Sequence, residues 1–322
     1  MAPDSAPVSA PVRAARLIAH GEPLQVEEVT LSTPGEGEVR VDLRFGGVNP
    51  IDRYGALGRV LPDAPLPRTM GAEASGDLDG RAVLVAGEGL GGTRDGVWAR
   101  AAVVPREAVL DVPDGVTPEQ AAAMGIAGLT ALNCVRELGR VGAEDRVVVL
   151  GASGGVGSMI VSLARAAGAT VWGQTGSAAK VATIEEGGAG RVLVGGPEEI
   201  AAPLAEFAPT VVFDPLGDGF VAPVVQAIAP RGRIVSFGVS AGAEVTFNLQ
   251  LLYRKAVSML GYGGGQLTRG ERRRGLEAAL EAVRAGDLAV RIDAVLPLDQ
   301  VNEAFQRLAD RRVQGNLLLD LS

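Results

Sequence analysis

Ala152, Gly154 and Gly157 stand at the spacing Ala-x-Gly-x-x-Gly inside the turn Gly151-Ala152-Ser153-Gly154-Gly155-Val156-Gly157. Ahead of the turn is a short β-branched run, Val147-Val148-Val149-Leu150. After it Met159, Ile160, Leu163 and Ala166 recur near helical spacing, up to Gly168. A second strand pattern, Ala169-Thr170-Val171-Trp172, closes the unit. Strand, glycine turn, helix and strand make one βαβ unit, and the turn carries the dinucleotide fingerprint with alanine in place of its first glycine. Gly154 lets the backbone come close to a pyrophosphate, and Gly157 lets the helix lie tight on the strand. The N–H groups at the helix start, around Gly155 and Val156, then face the anion. With 45 glycines in the chain the bare spacing is weak, and its βαβ setting makes it specific.

The type of dinucleotide follows from what comes next. A site for NAD places an acid about twenty residues on, to accept from the ribose 2′-hydroxyl. Between Asp145 and Glu185 this chain has no acidic residue. The second strand ends instead in Gly173-Gln174-Thr175-Gly176-Ser177, with Lys180 just beyond. Thr175, Ser177 and Lys180 suit a 2′-phosphate, which favours NADP(H). Lys180 and Lys255 are the only lysines, so one falling here is informative; the plain alternative is a solvated helix residue.

The frame that must position these residues is set by length and composition. At 322 residues two domains are expected, and 47% hydrophobic with 21% charged residues is ordinary globular material. A net charge of −8 disfavours a nucleic-acid partner. One cysteine, Cys134, and one histidine, His20, allow neither an internal disulfide nor a Cys/His zinc cage. Cys134 reads as a buried helix residue and His20 as surface. The start, Met1 to Val12, is rich in Pro, Ala and Ser and reads as a disordered tail. No run reaches a membrane span, so the expected setting is soluble, reducing and cytoplasmic.

From Arg13 to Val112 the pattern is β-rich and barrel-like: Val39 to Phe45 alternates, and strands fit at 81–86 and 98–104. Asn49-Pro50 and the glycines around them read as a loop. Thr117, Pro118 and Gln120 set a capped helix start. Past Lys180, strands fit at 191–194, 210–213, 233–237 and 258–261, with helices between them. Helices at 270–285 and 299–312 and a strand at 316–321 end the chain.

Taken in order, several stretches resemble the zinc-free quinone oxidoreductase group of medium-chain dehydrogenases/reductases, the zeta-crystallin-like branch. They are Val48-Asn49-Pro50-Ile51-Asp52-Arg53-Tyr54, Gly71-Ala72-Glu73-Ala74-Ser75-Gly76, the run from Ala121 to Ala131, the glycine turn, Val212-Phe213-Asp214-Pro215, and Gly232 to Gly238. The resemblance implies an α/β chain: a GroES-like β-barrel domain over 13–122 with 266–322, and a Rossmann doubly wound parallel-sheet domain over 123–265. It also implies a cleft between them, a homodimer, a small-molecule substrate and no metal.

The implied chemistry is hydride transfer from NADPH to a quinone or an α,β-unsaturated ketone. Asn49 and Tyr54 match the family's catalytic-loop asparagine and tyrosine, beside nicotinamide and substrate. Their plain alternatives are a turn cap and ordinary lining. Thr130 matches a threonine at the cofactor, or else packs its helix. Phe237, Gly238 and Val239 lie at a strand's carboxyl end, where such sheets bind ligands. Asp214 reads as structural. The aromatic residue the family places near the 2′-phosphate falls on Gly195. An alternative of another class is a protein of the same fold that binds NADPH without redox turnover, as a sensor or a non-redox tailoring enzyme.

Overall fold

A computed structural model describes Pro11–Ser322, so most of the expected tail lies outside the described residues; Val12, its last residue, begins the first strand. The described residues form two compact units: 11–126 with Ile292–Ser322, and Ala127–Arg291.

The first unit opens with β1 (Val12–Leu17), β2 (Gln25–Val29), β3 (Glu38–Val48), β4 (Arg68–Thr69), β5 (Glu73–Leu78), β6 (Arg81–Ala86), β7 (Ala101–Pro105) and β8 (Val109–Asp111). Its hub is β3. The expected alternation holds, with Val41, Leu43 and Phe45 inward and Arg40, Asp42 and Arg44 outward. At Gly46-Gly47 both faces become buried. β3 pairs β7 through its first half and β5 through its second, with a bulge near Leu43 and Phe45 that bends the strand. A Cβ on Gly46 would sit 2.6 Å from Trp98 Cδ1, so glycine makes room for the indole. Trp98 is fully buried, donates from Nε1 to the Gly47 carbonyl at 3.1 Å, and precedes the strand the sequence pattern had begun with it.

The second unit carries β9 (Arg146–Val149), β10 (Thr170–Thr175), β11 (Arg191–Val194), β12 (Val211–Asp214), β13 (Arg233–Ser236) and β14 (Ser258–Gly261). They form one parallel sheet in the order β11-β10-β9-β12-β13-β14. Val147 to Leu150 show no exposure, as a strand covered on both faces requires. Each strand expected from the sequence is present within a residue at most of its ends, because short β-branched runs bounded by turns have few other ways to bury both faces. Lys255 donates from Nζ to the carbonyls of Gln226 at 2.5 Å and Ile228 at 2.9 Å, capping the end of helix Val221–Ala227.

The chain returns to the first unit with β15 (Ile292–Pro297) and β16 (Asn316–Asp320), the latter antiparallel to β3. Helix Val301–Ala309 turns Val301, Ala304, Phe305 and Leu308 to the core, the stripe its sequence predicts. Two expectations differ from the structure. The unit boundaries fall at Ala127 and Arg291, not at 123 and 265. Helix Arg269–Ala285 packs on the second unit, where a Cβ on Gly275 would come within 2.5 Å of Leu129 Cδ1. Asn49-Pro50 is a helix start, not a loop. Asn49 is the extended N-cap of helix Pro50–Ala56, proline takes the first helical position, and Asp52 accepts from the Asn49 N–H.

Candidate active site and cofactor-binding turn

In the second unit the chain runs outward from β9 to β11, then returns to β12 on the other side of β9. That reversal opens a crevice at the carboxyl ends of β9 and β12, the place where open α/β sheets bind ligands. The predicted turn lies there. Gly151 adopts φ 61°, and Gly154 caps helix Gly155–Ala166 with no side chain of its own and no acid in the first turn. The first N–H groups of the helix, at Gly155, Val156 and Gly157, have no carbonyl behind them and meet an anion without charge repulsion. A Cβ at position 157 would press on the Gly151 carbonyl oxygen, so only glycine allows this approach.

Gln174, whose amide stands in the strand end expected to suit a 2′-phosphate, instead holds the turn in place. Its Oε1 accepts from the Gly151 N–H at 3.0 Å and its Nε2 donates to the Gly195 carbonyl at 2.8 Å. A buried amide in an apolar strand was the available signal, because it must find partners. Gly195 stands at φ 126° and a Cβ there would lie 2.6 Å from Glu199 Cβ, which explains why the aromatic residue expected from the resemblance has no place at this position. Past β10, Thr175 is buried and accepts from the Ser177 N–H at 3.3 Å; Ser177 and Lys180 are half-buried at the two ends of a single 3-10 turn.

The loops after β12 and β13 are knitted together beside the turn. Asp214 accepts from the N–H groups of Leu216 at 2.7 Å and Gly217 at 3.0 Å, and burial pushes its carboxyl up. The structural role expected for it is what these bonds describe. Phe237 donates from N to the Asp214 carbonyl, Gly238 lies against Pro215, and Val239 is 52% exposed. Thr130, on helix Leu129–Leu132, shares a side-chain hydrogen bond with Tyr262, whose phenol is pushed up by burial. Tyr262 follows the end of β14 and was missed; a tyrosine among glycines gives no periodic signal.

The first unit brings Asn49, Asp52 and Glu73 together, at 7%, 6% and 1% exposure. Asn49 Nδ2 donates to Glu73 Oε1 at 2.6 Å, and Asn49 N donates to Asp52 Oδ2 at 2.8 Å. Glu73 Oε2 takes the Ile126 N–H at 2.9 Å. Glycines make the space: a Cβ on Gly125 would lie 2.7 Å from Glu73 Oε2, and one on Gly47 would collide with Oε1. Burial is the main cause that pushes Asp52 up to about 7. Burial again, with the neighbouring Asp52 charge, pushes Glu73 up to about 8 against the bond from Asn49. Tyr54 lies half-buried on the same helix, five positions after Asn49.

The parallel sheet with its glycine turn and the bulged barrel strand define an NAD(P)-dependent oxidoreductase of the medium-chain dehydrogenase/reductase type, built from a Rossmann and a GroES-like domain. A family model described as zinc-binding dehydrogenase matches residues 155–282. The quinone oxidoreductase of Salmonella typhimurium is 30% identical, covering 93% of this chain and 97% of its own. Among solved structures, the Pseudomonas syringae quinone oxidoreductase is similar with a TM-score of 0.84 at 26% identity, over 96% of this chain and 99% of that one. An NAD-dependent alcohol dehydrogenase reaches a TM-score of 0.87 at 28% identity, over 96% and 100%. The chain belongs to the quinone oxidoreductase family.

The zinc in the matching model's description does not fit these residues. Asp52 and Glu73 spend their oxygens on N–H donors, and burial pushes the thiol of the one cysteine, Cys134, up. Among the described residues no three His, Cys, Asp or Glu side chains gather.

The raised carboxyls set a pH dependence of stability. Unfolded, Asp52 and Glu73 ionise from their ordinary values of 3.8 and 4.5; folded, they hold protons up to about 7 and 8. Their contribution is therefore complete below about pH 4 and lost as pH rises through about 7 to 8, by at most about 1.4 kcal/mol per pH unit for each proton. Urea unfolding across that range should show stability falling with pH, more shallowly in Glu73→Gln; a flat wild-type profile would contradict the assignment.

Proposed function

We propose that this protein is a zinc-independent NADPH-dependent reductase of quinones or α,β-unsaturated carbonyl compounds. The observation that carries the reading is the buried Asn49, whose side-chain amide bonds Glu73 and whose backbone N–H bonds Asp52, at the start of the helix that also bears Tyr54. A buried amide whose position is fixed by carboxyl partners serves chemistry that depends on placing a hydrogen-bonding group beside the substrate.

When bound, NADPH would supply a hydride to a carbon conjugated with a carbonyl, and a proton from a side chain or from solvent would complete the reduction. Reduction of that carbon pushes negative charge onto the substrate oxygen. Asn49 and Tyr54 are the groups that meet this oxygen, with an amide N–H and a phenol O–H. The N–H groups of Gly155, Val156 and Gly157, together with the backbone at Ala152 and Gly154, would hold the pyrophosphate. Thr130, Phe237, Gly238 and Val239 line the nicotinamide end. Thr175, Ser177 and Lys180 would receive the 2′-phosphate, and the absence of any acid from Arg146 to Ile184 supports NADPH over NADH. The alcohol dehydrogenase of similar fold is described as NAD-dependent, so the preference rests on this chain's own residues.

No helix among the described residues is long and apolar enough to cross a membrane. The reading adds a cytoplasmic setting and no nucleic-acid partner, in line with the acidic charge. It also includes a homodimer. β14 ends the parallel sheet with an unpaired edge among the described residues, and Leu249 and Tyr253 nearby are 64% and 61% exposed. A second copy of this chain would cover both.

NADPH oxidation followed at 340 nm with a panel of quinones and enones should show turnover, lost by about 10²-fold or more in Asn49→Ala and reduced in Tyr54→Phe. NADPH binding with no turnover on any member would favour the alternative, a cofactor-binding protein without redox activity. Lys180→Ala should weaken NADPH by about 1–3 kcal/mol while leaving NADH nearly unchanged, as read by calorimetry; equal losses would remove Lys180 from the phosphate site. Sedimentation should find a dimer that Met259→Lys, on β14, dissociates, whereas a wild-type monomer would end that part of the reading.

A further inference from the structure

The two ends of the Asn49 carboxamide differ, and Glu73 governs which end is turned outward. Glu73 Oε2 faces the N–H of Ile126, with the Gly125 N–H as a further backbone partner. Main-chain N–H groups only donate, so the Glu73 oxygen on that side must be an acceptor whether or not the acid is ionised. Any proton on Glu73 therefore belongs on Oε1, the oxygen 2.6 Å from the Asn49 side chain.

Two arrangements follow. With Glu73 ionised, Asn49 Nδ2 donates to Oε1 and the amide turns its carbonyl oxygen outward. With Glu73 protonated, Oε1–H donates to Asn49 Oδ1 and the amide turns its NH2 outward. The exchange is a half-turn of a group whose two ends are nearly equal in size, and Asp52, which also bonds the Asn49 side chain, accommodates the turned oxygen while it too is protonated. At 1% exposure no solvent stands in for the missing partner, and each state of Glu73 allows one arrangement of the amide.

We propose that Glu73 is a positioning residue that decides whether Asn49 offers an N–H or a carbonyl oxygen to the substrate. The kinetic consequence rests on the reductase reading above. A substrate oxygen that gains negative charge requires a donor, so the protonated form of Glu73 is the productive one.

The groups around Glu73 agree. Asp52, from the neighbouring helix, is the acid that faces it and opposes its ionisation. β3 brings Gly47, β6 brings Ala86 opposite Glu73, and the segment from Ala122 to Ile126 brings backbone and apolar side chains. Burial, with the Asp52 charge beside it, raises Glu73 to about 8.

Glu73→Gln separates this role from a purely structural one. The new amide must point its oxygen at the Ile126 N–H and its NH2 at Asn49, which is the arrangement of the protonated acid at every pH. In wild type, kcat/KM should fall about tenfold per pH unit above about pH 8. Glu73→Gln should keep the low-pH rate and lose that limb. An alkaline limb that persists unchanged in Glu73→Gln would overturn the proposal.

A second measurement does not depend on turnover. The chain has five asparagines, Asn49, Asn133, Asn248, Asn302 and Asn316, so protein labelled with 15N-asparagine gives few side-chain amide signals, and Asn49→Ser identifies the pair from Asn49. Contacts in nuclear Overhauser spectra between the Asn49 amide protons and the Glu73 side chain should be present above the midpoint and lost below it. In Glu73→Gln they should be weak at every pH. Contacts that persist across the whole range would overturn the proposal, even if no quinone or enone is reduced. Absence of turnover together with the expected amide reorientation would instead count against the reductase reading alone.

Discussion

Backbone lies on backbone where the second unit binds its ligand, and the rest of that unit is arranged to permit it. Helix Gly155–Ala166 reaches the end of β9 because position 157 has no side chain to press on the Gly151 carbonyl. Gly173, one strand over, makes room for side chains beside the turn: a Cβ there would lie 2.5 Å from Ile184 Cγ2 and 3.0 Å from Ala152 Cβ. Gln174 then fixes what the glycines leave open, joining the Gly151 N–H to the Gly195 carbonyl through one buried amide. A turn so held presents its N–H groups at little further entropic cost, which is the condition for a firm anion site.

The first unit spends its backbone freedom in the same way on larger groups. Gly46 admits the Trp98 indole, and Gly47 and Gly125 admit the carboxyl of Glu73. A buried carboxyl is unfavourable unless N–H donors surround it. Glu73 has such donors from Asn49 and Ile126, and Asp52 from Asn49. An apolar packing of similar volume would stabilise a barrel at least as well. Two acids are held at this cost, Asp52 in the helix that Asn49 caps and Glu73 on the strand beside it, so stability alone does not account for them.

The residues whose neighbours lie close in the chain were legible in advance. The glycine turn, the capping box at Thr117 and Gln120, and the apolar stripe of Val301, Ala304, Phe305 and Leu308 all stand where their spacing puts them. Asn49-Pro50 was legible in part: asparagine, proline and an acid two places on form a helix start as well as a loop, and what the chain does next decides between them. Helix Arg269–Ala285 was recognised as a helix, yet its unit was not, because the contact of Gly275 with Leu129 spans over a hundred residues.

By itself the sequence determined the βαβ unit, the parallel strands, the family, and the want of cysteine and histidine for a zinc site, since periodicity, local turns and composition are properties of short stretches or of the whole count. Only the tertiary structure decided that Gln174 clasps the glycine turn, that Tyr262 reaches Thr130, and that Glu73 stands against Asn49. The physical reason is that hydrogen bonds between buried groups depend on distance and on the loss of water, and both arise when strands far apart in the chain are packed together.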